Sequence, residues 1–556
     1  MFSTLLSMTK PEGSQLGRAI GVMAEIVPGE ALPRVRAWSA GSGEGTPLMS
    51  FRDGDLSWIY FSAEDPRTLA PQVLNRLWVE RLFAEPQLGT ALAGVFALIA
   101  IDARRNQLIA LCDRLGIQSL FYASDASQVL RISTHQSWLL LANQHDGSVD
   151  PDAFCSHLGF GYPVEPYRDV YQGVSKLPAS GYVRVADGKL TRGTYWTPPA
   201  SGSAEAPPIS ELAESLRTAL TSVITADGVC LGVTAGKDSL CLASVVTTAP
   251  LAGTFGLAES ADQRQAELLT TELGWPRVVG TVCSPDEIGR WARHVAIHSA
   301  GLATASYVDM AAFVATQIPP GYLFAMGEGG ECVRDFFSPG GRPPLATIEQ
   351  DYMTPADVLH RTLVPALRVK LDGYPTSLLA RVRAASEHAD DVLFATQFYR
   401  FQRMSGNFSL RHGVLAALRG KISPFLAADF IDRTYGLDPS WYVDSRLHRA
   451  VIAHARPELL RYFDQPVAST TSVQDWSGRF AGGVGLVVHE LLESTLHLCE
   501  DVFQPSAVLA LCRDAIDVPS RAIYYLFRVL SFSLGRAILR VEATERMSGI
   551  TDLALA

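Results

Sequence analysis

The sequence predicts an α/β protein in two unequal parts, a β-rich N-terminal domain joined to an α/β domain that carries a large helical extension. Three observations predict it. The stretch from Thr197 to Pro208 is rich in Pro, Gly, Ser and Ala, supports neither helix nor ladder, and reads as a linker. Before it, short β-type segments alternate with turn signals. After it, one apolar strand opens a βα alternation, and from about residue 355 to 556 apolar spacings of three and four residues take over. The boundaries that follow are 1–198 for the first domain, 199–208 for the linker and 209–556 for the second domain.

In chain order, the first domain offers strand segments at Leu56–Tyr60, Gly94–Ile101, Gln107–Leu111, Ser119–Ala123 and Gly181–Val185, the last followed by the turn signal Ala186-Asp187-Gly188. Gly94–Ile101 is too continuously apolar to face water, so these strands are expected to pack on the second domain. There, strands are expected at Gly228–Thr234, Thr254–Leu257 and Tyr322–Met326, with helices at Gln263–Leu273 and Ala522–Val541. No internal repeat is present.

The 556 residues are 47% hydrophobic, enough for a sizeable core. Lys+Arg total 47 against Asp+Glu 57, and a net charge of -10 argues against a broad basic surface for nucleic acid. Lysine is scarce: Lys10, Lys176, Lys189, Lys237, Lys370 and Lys421. The longest apolar run, Leu88–Ile101, falls short of the roughly 20 residues of a bilayer span, so no membrane association is expected. The N-terminus has no basic segment before its apolar stretch and does not read as a signal peptide, which makes the cytoplasm the expected compartment. Cysteines 112, 155, 230, 241, 283, 332, 499 and 512 form no CxxC pair and read as buried free thiols.

The segment that carries chemistry is Thr234-Ala235-Gly236-Lys237-Asp238-Ser239. A buried strand runs through a small-residue turn straight into a helix, which aims the turn's N–H groups and the helix N-terminus at one point. That is a phosphate cradle. Thr234 and Ser239 add hydroxyls, Lys237 adds a point charge, and Asp238 is placed to hold Mg²⁺. An ordinary βα turn with a capping Asp or Ser is the alternative.

This segment resembles the Ser-Gly-Gly-x-Asp-Ser pyrophosphate loop of the asparagine synthetase superfamily. Asp113-Arg-Leu-Gly-Ile-Gln-Ser-Leu-Phe-Tyr122 is similar to that family's Asp-Arg-x-Gly-x-x-Pro-Leu-Tyr segment, and Gly173-Val-Ser-Lys-Leu-Pro178 with Gly181 and Gly188–Trp196 to the end of its glutaminase domain. Gly327-Glu-Gly-Gly-Glu331 resembles the second synthetase motif, and Ser423-Pro-Phe-Leu426 the helical-domain signature. The resemblance implies a glutaminase-like (Ntn-type) sandwich followed by an ATP-pyrophosphatase (PP-loop) α/β domain, with ATP and Mg²⁺ as cofactors. It also implies the chemistry: a carboxylate is adenylated, pyrophosphate leaves, and an amine attacks. Family glutaminase domains use an N-terminal cysteine; here position 2 is Phe2, and the first cysteine, Cys112, reads as core. Loss of glutamine hydrolysis is therefore expected, as in β-lactam synthetases and lasso-peptide macrolactam synthetases, where the amine belongs to the substrate.

By the same resemblance Glu331 completes the Mg²⁺ site with Asp238 at Gly327, and Glu328 takes the attacking amine's proton as a base. A solvated or capping acid at a helix start is the alternative for both. Adenine falls on the backbone of Gly256 and Leu257, with Glu259, Ser260 and Asp262 after it; an edge strand with a polar turn is the alternative there. The family lysine that follows the Pro-Phe-Leu helix is missing. Arg456, Arg461 and Arg479 are the local cations, and Lys237 ahead of Lys421 is the substitute expected to carry the charge. The leading expectation is thus an AMP-forming amide ligase acting on a carboxylate- and amine-bearing peptide or small molecule, with partner biosynthetic proteins in natural-product assembly. A catalytically reduced nucleotide-binding partner subunit is the alternative. A tRNA-thiolating enzyme would need a reactive cysteine pair and a basic surface, and neither is present.

Overall fold

The computed structural model describes residues 13–19, 21–26, 34–38, 46–62, 74–92, 94–124, 129–200, 208–258, 260–371, 373–374, 376–384, 391–464, 472–518 and 520–545. The readings made on Phe2, on Glu259 and on the middle of the linker, 201–207, lie outside these residues.

The chain is α/β, and its N-terminal part is a two-sheet sandwich. One antiparallel sheet has the order Gly13–Ala19, Thr46–Asp53, Leu56–Ser62, Phe96–Asp102, Gln107–Cys112, Gly181–Ala186, Lys189–Thr194. The other has the order Ser175–Lys176, Phe121–Ser124, Leu130–Ser133, Gly21–Ile26, Arg34–Trp38. The strand Phe96–Asp102 explains its own continuous apolarity. Ala97, Ile99 and Ile101 face the second sheet, with Val22, Ala24 and Ile132. Phe96, Leu98 and Ala100 face the helix Arg76–Leu82 through Val79 and Leu82. The expectation that this segment packs on the second domain holds at Val95, which shares a core with Leu212, Val229 and Leu231, and is corrected for Phe96–Asp102: a central strand covered on both faces by its own domain reads the same in sequence as one at a domain interface.

The second domain is built on a five-stranded parallel sheet ordered Arg277–Gly280, Leu251–Phe255, Val229–Gly232, Leu323–Ala325, Lys421–Ile422. Its register sets Cys230 beside both Leu251 and Phe324. The carboxyl ends of the central strand, Val229–Gly232, and of its neighbour Leu323–Ala325 thus release their loops side by side. The strand expected at Thr254–Leu257 ends at Phe255 and lies inside the sheet, because Gly256 takes φ +143°, a conformation that β-branched or bulky residues avoid. Helix Ala261–Leu273 follows, with Ser260 as N-cap accepting from Gln263 N–H and Gly274 closing it in the left-handed region.

The halves are tied by buried polar and apolar contacts. Arg114 donates to the Asp432 carboxylate and to the carbonyls of Ala428 and Thr90, and stacks 5.1 Å from the Trp196 ring. Tyr171 donates to the Ala300 carbonyl at 2.7 Å, and His412 meets Gln118 Oε1 at 3.2 Å. Phe154, Leu158 and Tyr171 share one core with Val295, Phe503 and Phe532. Among the described residues one segment, Ala522–Arg540, is long and apolar enough to cross a membrane, a length the apolar-run reading did not anticipate; 78% of it is buried inside the fold, where Phe527, Leu530 and Phe532 join that core. All eight cysteines are free and buried. Cys112 is fully enclosed at a strand end, its thiol donates to the Pro178 carbonyl at 3.0 Å, and burial raises its pKa far above a reactive range.

Candidate active site

The loop Val233–Gly236 leaves the strand Val229–Gly232 and enters the helix Lys237–Val245. Helix geometry leaves the N–H groups of Lys237, Asp238 and Ser239 without intrahelical acceptors. The loop itself is internally braced. Ser239 Oγ lies 3.1 Å from Thr234 Oγ1 and donates toward the carbonyls of Thr234 and Gly236, and Gly236 N–H donates to Thr234 Oγ1 at 3.0 Å. Ala235 N–H donates to Asp262 Oδ1 at 2.7 Å. The notion that the turn's N–H groups are free is corrected accordingly: those of Val233, Thr234, Ala235 and Gly236 are held by the Gly253 carbonyl, Ser239 Oγ, Asp262 and Thr234 Oγ1, while the helix's first three remain.

The turn Gly327–Gly330 presses onto this helix from the neighbouring strand. A Cβ on Gly330 would meet Asp238 Oδ1 at 2.4 Å, and one on Gly327 would meet Asp238 Cβ at 2.8 Å, so only glycine permits the approach. Glu331 opens a short 3₁₀ turn, Gly330–Val333, where a regular helix was expected. The close approach sets two carboxylates side by side. Burial and the neighbouring Asp238 push Glu331 up to about 7. Burial also opposes ionisation of Asp238, but Arg334 and His448 outweigh it and hold the group below its usual range. Arg334 Nη2 donates to Asp238 Oδ2 at 3.0 Å and lies 3.8 Å from Glu331; His448 Nε2 lies 2.9 Å from Asp238 Oδ1. The His448 contact lies off the hydrogen-bond direction, so Asp238 Oδ1, like Glu331 Oε2, is buried without a well-aligned hydrogen-bond donor. Two carboxylates with orphaned oxygens are a donor set that fits Mg²⁺.

Glu328 requires a correction. It is 4% exposed and ion-paired with both Lys421 and Arg411, and Ser423 Oγ lies 3.4 Å away. Burial raises its pKa, but the two cations dominate and hold it at about 2. A carboxylate so stabilised is a weak proton acceptor, so the assignment of Glu328 as catalytic base is withdrawn; it anchors the glycine turn to Lys421 on the adjacent strand. Lys421 itself is 0% exposed, and burial lowers its pKa to about 8 against the pull of Glu328.

Arg456 donates to the Val246 carbonyl, Arg461 to Glu272, and Arg479 to Asp309 and Cys283, each away from the loop. Lys237 lies at the site, its Nζ 3.3 Å from Ser445 Oγ and 5.0 Å from the Phe463 ring, without an ion pair among the described residues. Gly256 and Leu257 lie in the bend at the neighbouring strand's carboxyl end. Gly256 N–H donates to Gly280, and its carbonyl accepts from Gln263 at 3.3 Å. Sequence reasoning missed Arg334, Arg411, Ser445 and His448. Arg334, three residues after Glu331, has a charge-spacing signal; the others come from distant segments with none.

Residues 81–196 match a family described as a glutamine amidotransferase domain. Among solved structures, the chain is similar to glutamine phosphoribosylpyrophosphate amidotransferase from B. subtilis, complexed with ADP and GMP, at 10% identity and TM-score 0.20, covering 47% of this chain and 60% of that one. A second similar structure is described as the allosteric regulatory enzyme of purine biosynthesis, at 10% identity and TM-score 0.21, covering 48% and 59%. The chain therefore spans about 60% of the length of these proteins. No curated protein matches. Residues 81–196 are thus similar to a glutamine amidotransferase domain.

Proposed function

We propose that the protein is an ATP-dependent, AMP-forming amide ligase of the asparagine synthetase type that works without glutamine hydrolysis. The observation that carries this reading is the pair of glycine-lined turns that brings Asp238 and Glu331 together, each with a buried oxygen lacking a donor. In this reading a substrate carboxylate displaces pyrophosphate from ATP, and an amine then displaces AMP to form the amide. The helix N–H groups of Lys237, Asp238 and Ser239 grip phosphate oxygens, and Lys237 Nζ supplies the charge for which the family uses a later lysine. Asp238 and Glu331 hold Mg²⁺, whose charge offsets that of the phosphates. Gly256 and Leu257 flank the adenine side. The buried Cys112 thiol supports the absence of glutaminase chemistry from that residue. Peptide or small-molecule natural products, macrolactams among them, fit a chain whose acceptor amine is already on its substrate.

Pyrophosphate release by the full chain with MgATP and panels of acids and amines tests the reading. Release that depends on both is expected, and Lys237→Ala should slow it at least tenfold with no glutamate formed from glutamine. ATP binding without pyrophosphate release from any acid would reject it. A nucleotide-binding partner subunit would then be favoured, a reading supported by Asp262, whose carboxylate occupies the Ala235 N–H.

A further inference from the structure

A second group of charged and aromatic side chains adjoins the carboxylate pair and has no role in the chemistry above. The segment Phe398–Phe408 winds as a π-helix, a rare form that recurs at functional sites. It is held against the N-terminal domain: a Cβ on Gly406 would meet the Tyr162 ring at 2.2 Å. Arg403 lies in the middle of this segment. Its guanidinium carbon is 4.9 Å from the Tyr352 ring, 5.5 Å from Phe336, 5.7 Å from Tyr399 and 5.9 Å from Phe408. Two of these rings lead back to the site. Arg334, bound to Asp238, is 5.8 Å from Phe336, and Arg411, bound to Glu328, is 4.5 Å from Phe408.

Arg334 and Arg411 have carboxylates; Arg403 has none among the described residues. Ring faces attract a cation, but the guanidinium N–H groups lie in its plane and still need acceptors. Nε of Arg403 is buried without one. The Tyr399 hydroxyl, on a residue 2% exposed, is likewise without a partner. Nearby Arg528 adds positive charge and, among the described residues, donates to the carbonyls of Leu158 and Gly159 and to Thr354 Oγ1. Arg403 is half-buried, with the Tyr162 hydroxyl beside it, and a partly desolvated cation with no carboxylate among the described residues gains when an anion joins it. The phosphates have their own cradle at Lys237–Ser239, and a planar guanidinium beside a hydroxyl suits a planar, two-oxygen acceptor.

We propose that Arg403, with the Tyr399 hydroxyl, forms a subsite for a substrate carboxylate other than the one that reacts. The term "reacts" rests on the ligase reading; the subsite itself does not. A donor bearing a second carboxylate and an acceptor bearing one share this chemistry, and the probes separate them: glutarate for a donor, β-alanine for an acceptor. Calorimetric titration of the full chain is expected to show saturable binding of at least one, weakened about tenfold to hundredfold by Arg403→Gln, partly restored by Arg403→Lys, and weakened less by Tyr399→Phe. ATP affinity should not change. The Tm of Arg403→Gln should hold or rise, since an unpaired cation is removed, whereas a purely structural arginine would lower it. No binding of either probe to the wild type, equal binding by the Arg403 variants, or a parallel loss of ATP affinity would overturn the subsite. Pyrophosphate release with unchanged probe binding would reject the subsite alone; Arg403-dependent binding without pyrophosphate release would reject the ligase reading alone.

Discussion

Two aspartates sit at glycine-containing turns, one in each half of the molecule, and they use their carboxylates in opposite ways. Asp113 turns inward: Oδ1 accepts from the N–H groups of Leu115 and Ile117 at 3.1 Å each, and Oδ2 from Gln118 at 2.7 Å. Asp238 accepts from no backbone donor; its partners are side chains, Arg334 and His448, and Oδ1 has no hydrogen bond. Both are largely buried and both belong to recognisable motifs, so neither burial nor motif separates them. What separates them is satisfaction. A carboxylate whose lone pairs are closed by its own loop holds the loop; one left open by its surroundings is available to something outside the chain.

The largest break in this comparison should come at Asp238. Asp238→Asn keeps the shape and removes the charge, so pyrophosphate release under MgATP is expected to fall by two orders of magnitude or more, about 3 kcal/mol or beyond in the barrier. Its Tm should change less than that of an Asp113 variant, because Arg334 loses a charged partner while Glu331 loses a repelling one, and no backbone group among the described residues depends on the carboxylate. Unchanged turnover would mean the divalent site lies elsewhere.

Asp113→Ala should do the reverse. Three buried N–H groups lose their acceptor at once, and with roughly 1–3 kcal/mol for each unsatisfied donor the loss is expected at about 3–5 kcal/mol after local relaxation. Urea titration measures it. The adjacent Arg114 strut to Asp432 would loosen with it, so the second domain should unfold at lower urea too. A variant as stable as the wild type would show that the loop is held by its neighbours instead.

The contrast also marks what the sequence can carry. The phosphate-loop strand, its turn and its helix were legible because all the determinants are consecutive: apolar residues to Val233, small residues, then a helix start. The glycine turn at 327–330 was legible as a motif, but not the role of Glu328, because its two cations come from Lys421 and Arg411, some ninety residues away. Arg456, Arg461 and Arg479, the cations nearest in sequence to the missing lysine's place, face other elements. The β-strands before Leu56 went unread: Gly13–Ala19 lacks the apolar alternation that marks a half-buried strand, and Arg34–Trp38 shows it over too few residues to stand out. Their pairing is set by partners such as Thr46–Asp53, a contact that no local window contains.

The smallest effect sharpens the comparison from the other side, with a buried group that neither closes a loop nor faces the site. His135 is 4% exposed, stacks on Trp138 at 4.6 Å and packs against His298 at 5.7 Å, and its Nε2 has no hydrogen-bond partner. Burial lowers its pKa from 6.5 to about 4. Between those values the unfolded chain binds a proton that the folded protein refuses, so stability falls as pH drops below 6.5 and the loss is complete near 4. At pH 5.5 the term is about 1.4 kcal/mol. His135→Phe keeps the ring and removes the proton site, so its stability relative to the wild type should improve by that amount between pH 8 and pH 5.5. Asp113 and Asp169 act with the opposite sign: burial raises both to about 6, so they gain stability as pH falls from there toward 3.8. The wild-type slope is therefore a difference between opposing terms. Only the paired measurement, variant against wild type by urea titration at both pH values, isolates the histidine, and parallel curves for the two proteins would refute its assignment as a buried neutral ring.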